Sequence, residues 1–145
     1  MVLSKVVGII LMLIGVALII LPVKLLPFAT LNVDTEPPMV LSVYPALFGG
    51  YTSICEIKTV VQDGLSPSTG SGIASVIASP SWTTAITLFR NIYHSDLSET
   101  WSAQLNPCLT SSGKYAFTIA VADNAGLKTA SLPIDFTIGQ LTLAG

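Results

Sequence analysis

Charged side chains are scarce in this chain. Asp, Glu, Lys and Arg together make up 10% of its 145 residues, whereas a typical soluble domain carries about 25%. The six basic residues are scattered and the formal net charge is −2, while a nucleic-acid-binding face needs clustered Lys and Arg. The composition therefore argues against a nucleic-acid partner. It predicts a neutral, hydroxyl-rich surface that suits packing against like subunits.

Residue types that carry out catalysis are also few. The single histidine, His94, is followed by Ser95 and Asp96, but three consecutive residues at a strand end cannot converge as a catalytic triad. The chain has no G-x-S-x-G elbow, no P-loop and no Cys/His cluster with zinc spacing. The sequence therefore predicts a protein that is not an enzyme, with no cofactor and no evident small-molecule substrate, and it predicts His94 as a turn residue.

Candidate metal ligands are equally sparse in the sequence. Asp63, Asp123 and Asn124 carry oxygens that could help to bind Ca²⁺. A calcium site needs six to eight oxygen ligands, including several carboxylates. Asp63 is the only carboxylate in the loop Asp63–Gly72. Asp and Asn are in any case common turn residues. The sequence therefore predicts no metal site.

One long apolar segment stands at the N-terminus. Val6–Val23 reads VVGIILMLIGVALIILPV and contains no charged residue. As a helix it would span roughly 27 Å, close to the hydrocarbon thickness of a bilayer. The sequence predicts a transmembrane helix with its flank over residues 1–29, ending near Pro22 and Pro27. The alternative is a cleaved secretory signal, but its apolar region would be shorter and would precede a small-x-small cleavage site.

The residues that flank this segment predict its orientation. Lys5 precedes it, and Asp34 and Glu36 follow it, which favours an N-terminus inside and the rest of the chain outside. Gly8 and Gly15 are seven residues apart and would share one helix face. They predict a seam for helix packing in the membrane, although such a pair also arises by chance.

After a linker at residues 30–38, residues 39–145 carry short apolar runs separated by turn signals. In several runs apolar and polar residues alternate, as in strands with one buried face. About seven strands with a turn every 8–12 residues or so is typical of an antiparallel β-sandwich. The sequence therefore predicts an all-β domain. Its predicted strands are Met39–Tyr44, Ile54–Gln62, Ile73–Ala78, Thr84–Tyr93, Glu99–Leu105, Lys114–Ala122 and Thr129–Ile138.

Three motifs in this region resemble those of a known family. VDTEPP at 33–38, GIASV at 72–76, and GKY at 113–115 with VADNAG at 121–126 resemble the bacterial and archaeal Ig-like surface repeats of the invasin and adhesin type. Leu127 stands where those repeats have a polar residue. The resemblance implies an Ig-like antiparallel β-sandwich of about seven strands behind a transmembrane anchor, acting as a stalk, an adhesin or a building block, with no active site.

The chain has two cysteines, Cys55 and Cys108. In the Ig-like topology that the resemblance implies, both lie at the same end of the sandwich, so a disulfide is expected. An extracellular location permits such a bond, and closing a loop of about 54 residues would contribute roughly 4 kcal/mol in the chain-entropy model. The alternative is two separate buried thiols.

Both termini of the predicted domain alternate apolar and polar residues beyond what one sandwich requires. In the C-terminal tail the apolar positions are Leu141 and Leu143, and the segment Leu25–Val33 has a similar pattern. Either segment could pair with the open edge of a neighbouring sheet, as in strand addition. The alternative is a frayed terminus or an extra edge strand of the same domain.

Together these features predict a non-enzymatic structural component of a surface assembly, in a cell envelope or a virion membrane. Its partners would be the lipid bilayer and copies of itself or other surface or virion proteins, with the Ig-like domain displayed extracellularly. One alternative is a pilin-like filament subunit, which also joins an apolar helix to a β-sandwich. Another is an adhesin or binding module that contacts a ligand through the loop Asp63–Gly72.

Overall fold

The computed structural model describes residues 33–65 and 69–139, and all regular elements in these ranges are β-strands. They are β1 (Met39–Tyr44), β2 (Gly50–Tyr51), β3 (Ile54–Gln62), β4 (Ile73–Pro80), β5 (Ile86–Thr87), β6 (Phe89–Tyr93), β7 (Ser98–Leu109), β8 (Gly113–Asp123), β9 (Lys128–Ala130) and β10 (Ile134–Ile138). In this part of the chain no helix has the length and apolar character needed to cross a membrane. The predicted transmembrane segment with Gly8 and Gly15, and the tail residues Leu141 and Leu143, lie outside the described residues.

The strands form two sheets. A four-stranded sheet has the order β1-β3-β7-β6, and a six-stranded sheet has the order β2-β10-β8-β4-β5, with β9 also paired to β8. Strand pairs are antiparallel except β2 with β10, which are parallel. The predicted all-β class and its sandwich-like arrangement of two sheets are confirmed.

The alternating pattern of β3 shows why the sequence folds into sheets. Ile57, Thr59 and Val61 are buried, while the residues between them are exposed or half-buried. A strand has a side-chain period of two, so one face of β3 lies on the core and the other faces outward. β1 and β3 have the bounds that the sequence predicts.

The predicted strand Thr84–Tyr93 is divided in the structure. Its first part is β5, which pairs with β4 in the six-stranded sheet, and its second part is β6, which pairs with β7 in the four-stranded sheet. Leu88 lies between them, is 1% exposed, and donates its N–H to the Val76 carbonyl. The chain therefore changes sheets at a residue that is anchored in the core.

The predicted strand Thr129–Ile138 is also divided, at the only proline in that range, Pro133. Proline has no N–H to donate to a ladder. Both halves, β9 and β10, pair with β8. Ser131 bridges the break, because its N–H donates to the Ile119 carbonyl and its hydroxyl accepts from the Ile119 N–H.

The core lies between the two sheets. Phe117 and Phe136 are the largest fully buried side chains, with ring centroids 6.1 Å apart in an edge-to-face arrangement. Trp82 and Tyr115 pack on Phe136 from the partly buried side. The aliphatic residues that complete the core include Ile54, Ile57, Val61, Ile73, Val76, Leu88, Ile119, Val121, Ile134 and Ile138.

Candidate functional site

Three aspartates from distant parts of the chain meet at one end of the domain. Asp34 precedes β1, Asp63 directly follows β3, and Asp123 is the last residue of β8. Each offers one carboxylate oxygen, and these three oxygens lie within 4.8 Å of one another. Asp34 is half-buried, whereas Asp63 and Asp123 are 7% and 3% exposed. The group is called the aspartate cluster below.

Ser71, in the β3–β4 loop, connects the members of the cluster. Its N–H donates to Asp34 Oδ2 at 2.9 Å, and its hydroxyl is 3.5 Å from Asp63 Oδ2. The same hydroxyl accepts from the Ala125 N–H at 2.9 Å. One serine thus holds the segment before β1, the end of β3 and the turn after β8 at fixed positions.

Two glycines allow this loop to approach the cluster closely. Gly72 has φ of +85°, which a residue with a Cβ adopts only with strain, and its N–H donates to Asp63 Oδ2 at 2.6 Å. At Gly70 a Cβ would overlap the backbone carbonyl oxygen of Asp63. The loop therefore packs against the carboxylates because glycine stands at both positions.

The turn after β8 positions the third carboxylate. Asp123 Oδ1 accepts from the Leu127 N–H at 2.8 Å, which closes the turn over Gly126. Asn124 ties the turn to the β3–β4 loop, because its side-chain amide donates to the Ser71 carbonyl and its N–H donates to the Gly72 carbonyl. Asn124 thus braces the cluster through donors, and its amide nitrogen is not a metal ligand.

Two oxygens of the cluster are buried without a hydrogen-bond partner. They are Asp63 Oδ1 and Asp123 Oδ2, each in a residue that is more than nine-tenths buried. A buried acceptor left unpaired loses its hydration without compensation, at a cost of about 1–3 kcal/mol and more for a charged group. The cluster is therefore incomplete as a set of hydrogen bonds.

The cluster also shows unbalanced charge. Burial raises the pKa of Asp63 above its ordinary value; the Gly72 N–H opposes this effect, and the nearby carboxylates of Asp34 and Asp123 add to it. Desolvation also acts to raise the pKa of Asp34, but hydrogen bonds from Ser71 and Glu36 outweigh it and hold that pKa below its ordinary value. Within residues 33–65 and 69–139, no Lys or Arg forms a salt bridge with any of the three aspartates.

Glu99 provides an internal comparison, because it is a buried carboxylate with partners. It is 4% exposed, its Oε2 accepts from the Trp101 indole N–H at 2.8 Å, and its Oε1 lies 3.6 Å from the Arg90 guanidinium. Both oxygens of Glu99 thus have a donor or a cation. The free oxygens of the aspartate cluster are not a general property of buried acids in this domain.

The opposite end of β3 carries the disulfide. Cys55 in β3 and Cys108 in β7 are bonded, with their Cα atoms 4.3 Å apart, so the disulfide expected from the sequence is confirmed. The bond joins neighbouring strands of one sheet, at a register shift between β3 and β7. Cys108 was predicted in a connection before β8, but β7 extends through Pro107 to Leu109 and includes it.

The structure places His94 in the turn between β6 and β7, as the sequence predicts. Its ring Nε2 lies 2.8 Å from the Thr100 hydroxyl, and its N–H donates to the Ser98 carbonyl. Asp96 accepts from both the N–H and the hydroxyl of Ser98 through the same Oδ1. These side chains form hydrogen bonds within the turn, and they do not converge as a catalytic triad.

Asp63, Asp123 and Asn124 are the candidate calcium ligands in the sequence analysis above, and Asp34 is not among them. Asp34 lies in the predicted linker, 29 positions before Asp63. The available signal was that Asp63 and Asp123 adjoin turn motifs and Asp34 precedes a Pro-Pro pair. Only the strand topology places these residues together.

The comparisons with known proteins identify no family. No protein-family model matches the chain, and no curated protein is similar enough to count as a relative.

Proposed function

We propose that this chain is a non-enzymatic, membrane-anchored surface module that presents an Ig-like β-sandwich outside the membrane. The observation that carries this proposal is the Cys55–Cys108 disulfide. Structural disulfides form and persist in oxidising compartments and are rare in the cytosol. The apolar segment Val6–Val23 supplies the anchor, since it is long enough to cross the hydrocarbon core as a helix.

The strand order supports the Ig-like assignment. Constant-type Ig domains have the order A-B-E-D in one sheet and C-F-G in the other. In chain order β1, β3, β6 and β7 correspond to A, B, D and E, and the order β1-β3-β7-β6 reproduces the first sheet. In the other sheet, the neighbouring strands β10, β8 and β4 correspond to G, F and C. The disulfide differs from that of antibody domains, because it links B and E within one sheet instead of B and F between sheets.

An exposed edge supports a role in assembly. β6 is the edge strand of the four-stranded sheet, and its side chains Phe89, Ile92 and Tyr93 are 69%, 52% and 60% exposed. Arg90 and a register shift beside it limit backbone pairing along this short strand, so the contact that we propose uses its exposed apolar side chains. The occupant we propose for this edge is a second copy of the chain, in keeping with the low charge of the whole sequence.

Membrane attachment is tested with a matched pair of leucine substitutions in the full chain. A charge at the centre of a transmembrane helix disfavours insertion by about 2.5–3.5 kcal/mol. Leu13→Arg should therefore release much of the chain from membranes washed with alkaline carbonate. Leu132→Arg is the control, because that side chain is 85% exposed on the sandwich. If the parent chain and both variants appear in the wash supernatant in equal amounts, the anchor is contradicted.

Orientation is tested by labelling intact cells with an amine reagent that does not cross membranes. Lys58, Lys114 and Lys128 are exposed on the sandwich and should be labelled before lysis, whereas Lys5 should be labelled only after lysis. Intact mass without reductant should show a chain lighter by two hydrogen atoms than the reduced chain. Labelling of Lys5 alone in intact cells would place the sandwich inside and overturn the proposal.

Assembly is tested by electron microscopy of membrane-extracted material from the same cells. Lattices, filaments or shells built from the chain would support the structural role. Phe89→Ser with Tyr93→Ser should disperse them while the melting temperature stays within a few degrees, because both side chains are exposed. Single dispersed particles of the parent chain would contradict assembly and favour a lone binding module.

A further inference from the structure

We propose that Asp34, Asp63 and Asp123 bind one divalent cation, and that calcium is the preferred ion. The site lies where β3 and β8 end and where the chain enters β1. This inference is independent of the membrane anchor and of the assembly proposed above. It concerns the folded domain alone.

The first argument is convergence. Three carboxylate oxygens within 4.8 Å of one another match the spacing around one calcium ion, since two ligands that are each about 2.3–2.6 Å from the ion lie no more than about 5 Å apart. The three come from separate segments, so the arrangement is a product of the tertiary fold. A surface helix or a single acidic loop would place such residues together without any need for a ligand.

The second argument is the pair of buried oxygens without partners. Asp63 Oδ1 and Asp123 Oδ2 accept no hydrogen bond, although their sister oxygens accept from the Gly72 and Leu127 N–H groups. Those backbone donors fix the orientation of each carboxylate and leave one oxygen on each aspartate available. A bound cation would satisfy both oxygens and offset the repulsion among three nearby negative charges.

The donor set selects the class of ion. All candidate ligands are carboxylate oxygens, which suit hard cations such as Ca²⁺ and Mg²⁺, and the cluster holds no His or Cys for a transition metal. Mg²⁺ requires a nearly ideal octahedron and keeps several waters, whereas Ca²⁺ accepts six to eight oxygens in flexible geometry. The three carboxylates would supply part of a calcium shell of six to eight oxygens, and water would supply the rest, which the flexible coordination geometry of calcium allows.

Binding would link three parts of the domain that are far apart in sequence. Asp34 belongs to the segment before β1, Asp63 to the β3–β4 loop and Asp123 to the end of β8. Hydrogen bonds of Ser71 and Asn124 already join these parts. The ion would therefore stabilise the folded domain and hold residues 34–36 against it.

The test measures the melting temperature of the full chain in detergent, stripped with EDTA and then titrated with CaCl2. Saturating ligand stabilises the state that binds it, and at a hundred times the dissociation constant the melting temperature should rise by about 10 °C. Isothermal titration with CaCl2 should give one ion per chain. MgCl2 at the same concentrations should give a smaller shift.

Two variants and a control make the test specific. Asp123→Asn and Asp34→Asn should lose most of the calcium-dependent shift, whereas Asp135→Asn should retain it, because Asp135 is exposed on β10 and outside the cluster. In EDTA, Asp123→Asn should melt no lower than the parent chain, since it removes one charge from the cluster. This last measurement separates loss of binding from loss of folding.

The proposal fails under any of three results. The parent chain shows no shift in CaCl2, or the two cluster variants respond as strongly as Asp135→Asn, or MgCl2 shifts the melting temperature as much as CaCl2 does. The first two results would exclude a cation site at the cluster, and the third would exclude the preference for calcium.

Discussion

The two ends of β3 are held in different ways. At the first end Cys55 is bonded covalently to β7. At the second end Asp63 lies beside Asp34 and Asp123, which accept hydrogen bonds from Ser71 and Leu127, and two carboxylate oxygens have no partner. Cys55 and Asp63 are eight residues apart, or about 26 Å along a strand. The same strand therefore carries a closed covalent link at one end and an incomplete polar cluster at the other.

The difference shows how a small domain with little charge closes its two ends. A disulfide acts mainly on the unfolded chain and does not depend on ions in solution. The contribution of a carboxylate cluster to stability depends on the cations or protons that neutralise its charge, because burial of unpaired charge opposes folding. Stability at the disulfide end should therefore be insensitive to solution conditions, while stability at the aspartate end should respond to them.

The largest expected effect comes from removing the disulfide. Cys55→Ala with Cys108→Ala opens a loop with a sequence separation of 53 and should lower the free energy of unfolding by about 4 kcal/mol. Urea unfolding of the full chain in detergent measures it. The melting shift in CaCl2 should persist in this variant, because distant sites act independently. If this variant loses the calcium-dependent melting shift as well as stability, the two ends are coupled and the comparison fails.

The next effect comes from Gly70→Ala at the aspartate end. The new methyl group would overlap the Asp63 carbonyl oxygen, so the loop must shift and the free energy of unfolding should fall by about 1–3 kcal/mol. Gly139→Ala is the matched control, because a Cβ at Gly139 has no atom within 4 Å. If both variants unfold at the same urea concentration, the close packing of the loop on Asp63 is not a constraint.

A smaller effect is expected from Ser71→Ala. The change removes the hydroxyl that accepts from the Ala125 N–H and lies beside Asp63, and it should lower the free energy of unfolding by about 1 kcal/mol. Ser111→Ala serves as the control, because the hydrogen bond recorded at Ser111 uses its backbone carbonyl. Equal urea midpoints for the two variants would show that Ser71 does not join the loop to the turn.

The smallest effect concerns Asp96, an exposed carboxylate that accepts two hydrogen bonds at one oxygen. Bonds from the hydroxyl and the N–H of Ser98 lower the pKa of Asp96 below 3.8. A lowered folded-state pKa gives stability that is present above the unfolded value and is lost as pH falls through the folded value. Asp96→Asn should therefore reduce the loss of melting temperature between pH 5 and about pH 3. An unchanged acid dependence would contradict this.

The strands were largely predictable because their signals are local. Alternation along β3 and turn residues at its ends fixed its bounds, and β1 was equally clear. The division at Leu88 was not predictable, since Thr84–Tyr93 reads as one continuous strand and only the core shows that its halves join different sheets. The division at Pro133 had a local signal, since proline cannot extend a ladder.

The two ends of β3 also differ in how far they could be predicted from the sequence. The cysteine pair was predictable because the chain has only two cysteines and the resemblance to Ig-like repeats implied that both lie at the same end of the sandwich. The aspartate cluster was not, because Asp34 lies in a segment that reads as a linker and its neighbours come from two other turns. Local pattern identifies turn-forming aspartates, whereas their convergence depends on the order of β3, β4 and β8 across two sheets.

Hydrogen–deuterium exchange of the full chain in detergent, with EDTA and then with CaCl2, tests most directly whether the two ends are held differently. Calcium should slow amide exchange in residues 34–36, in the β3–β4 loop and in the turn after β8, while exchange around Cys55 and Cys108 should not change. No protection at the three cluster segments, or equal protection at both ends of β3, would contradict the account.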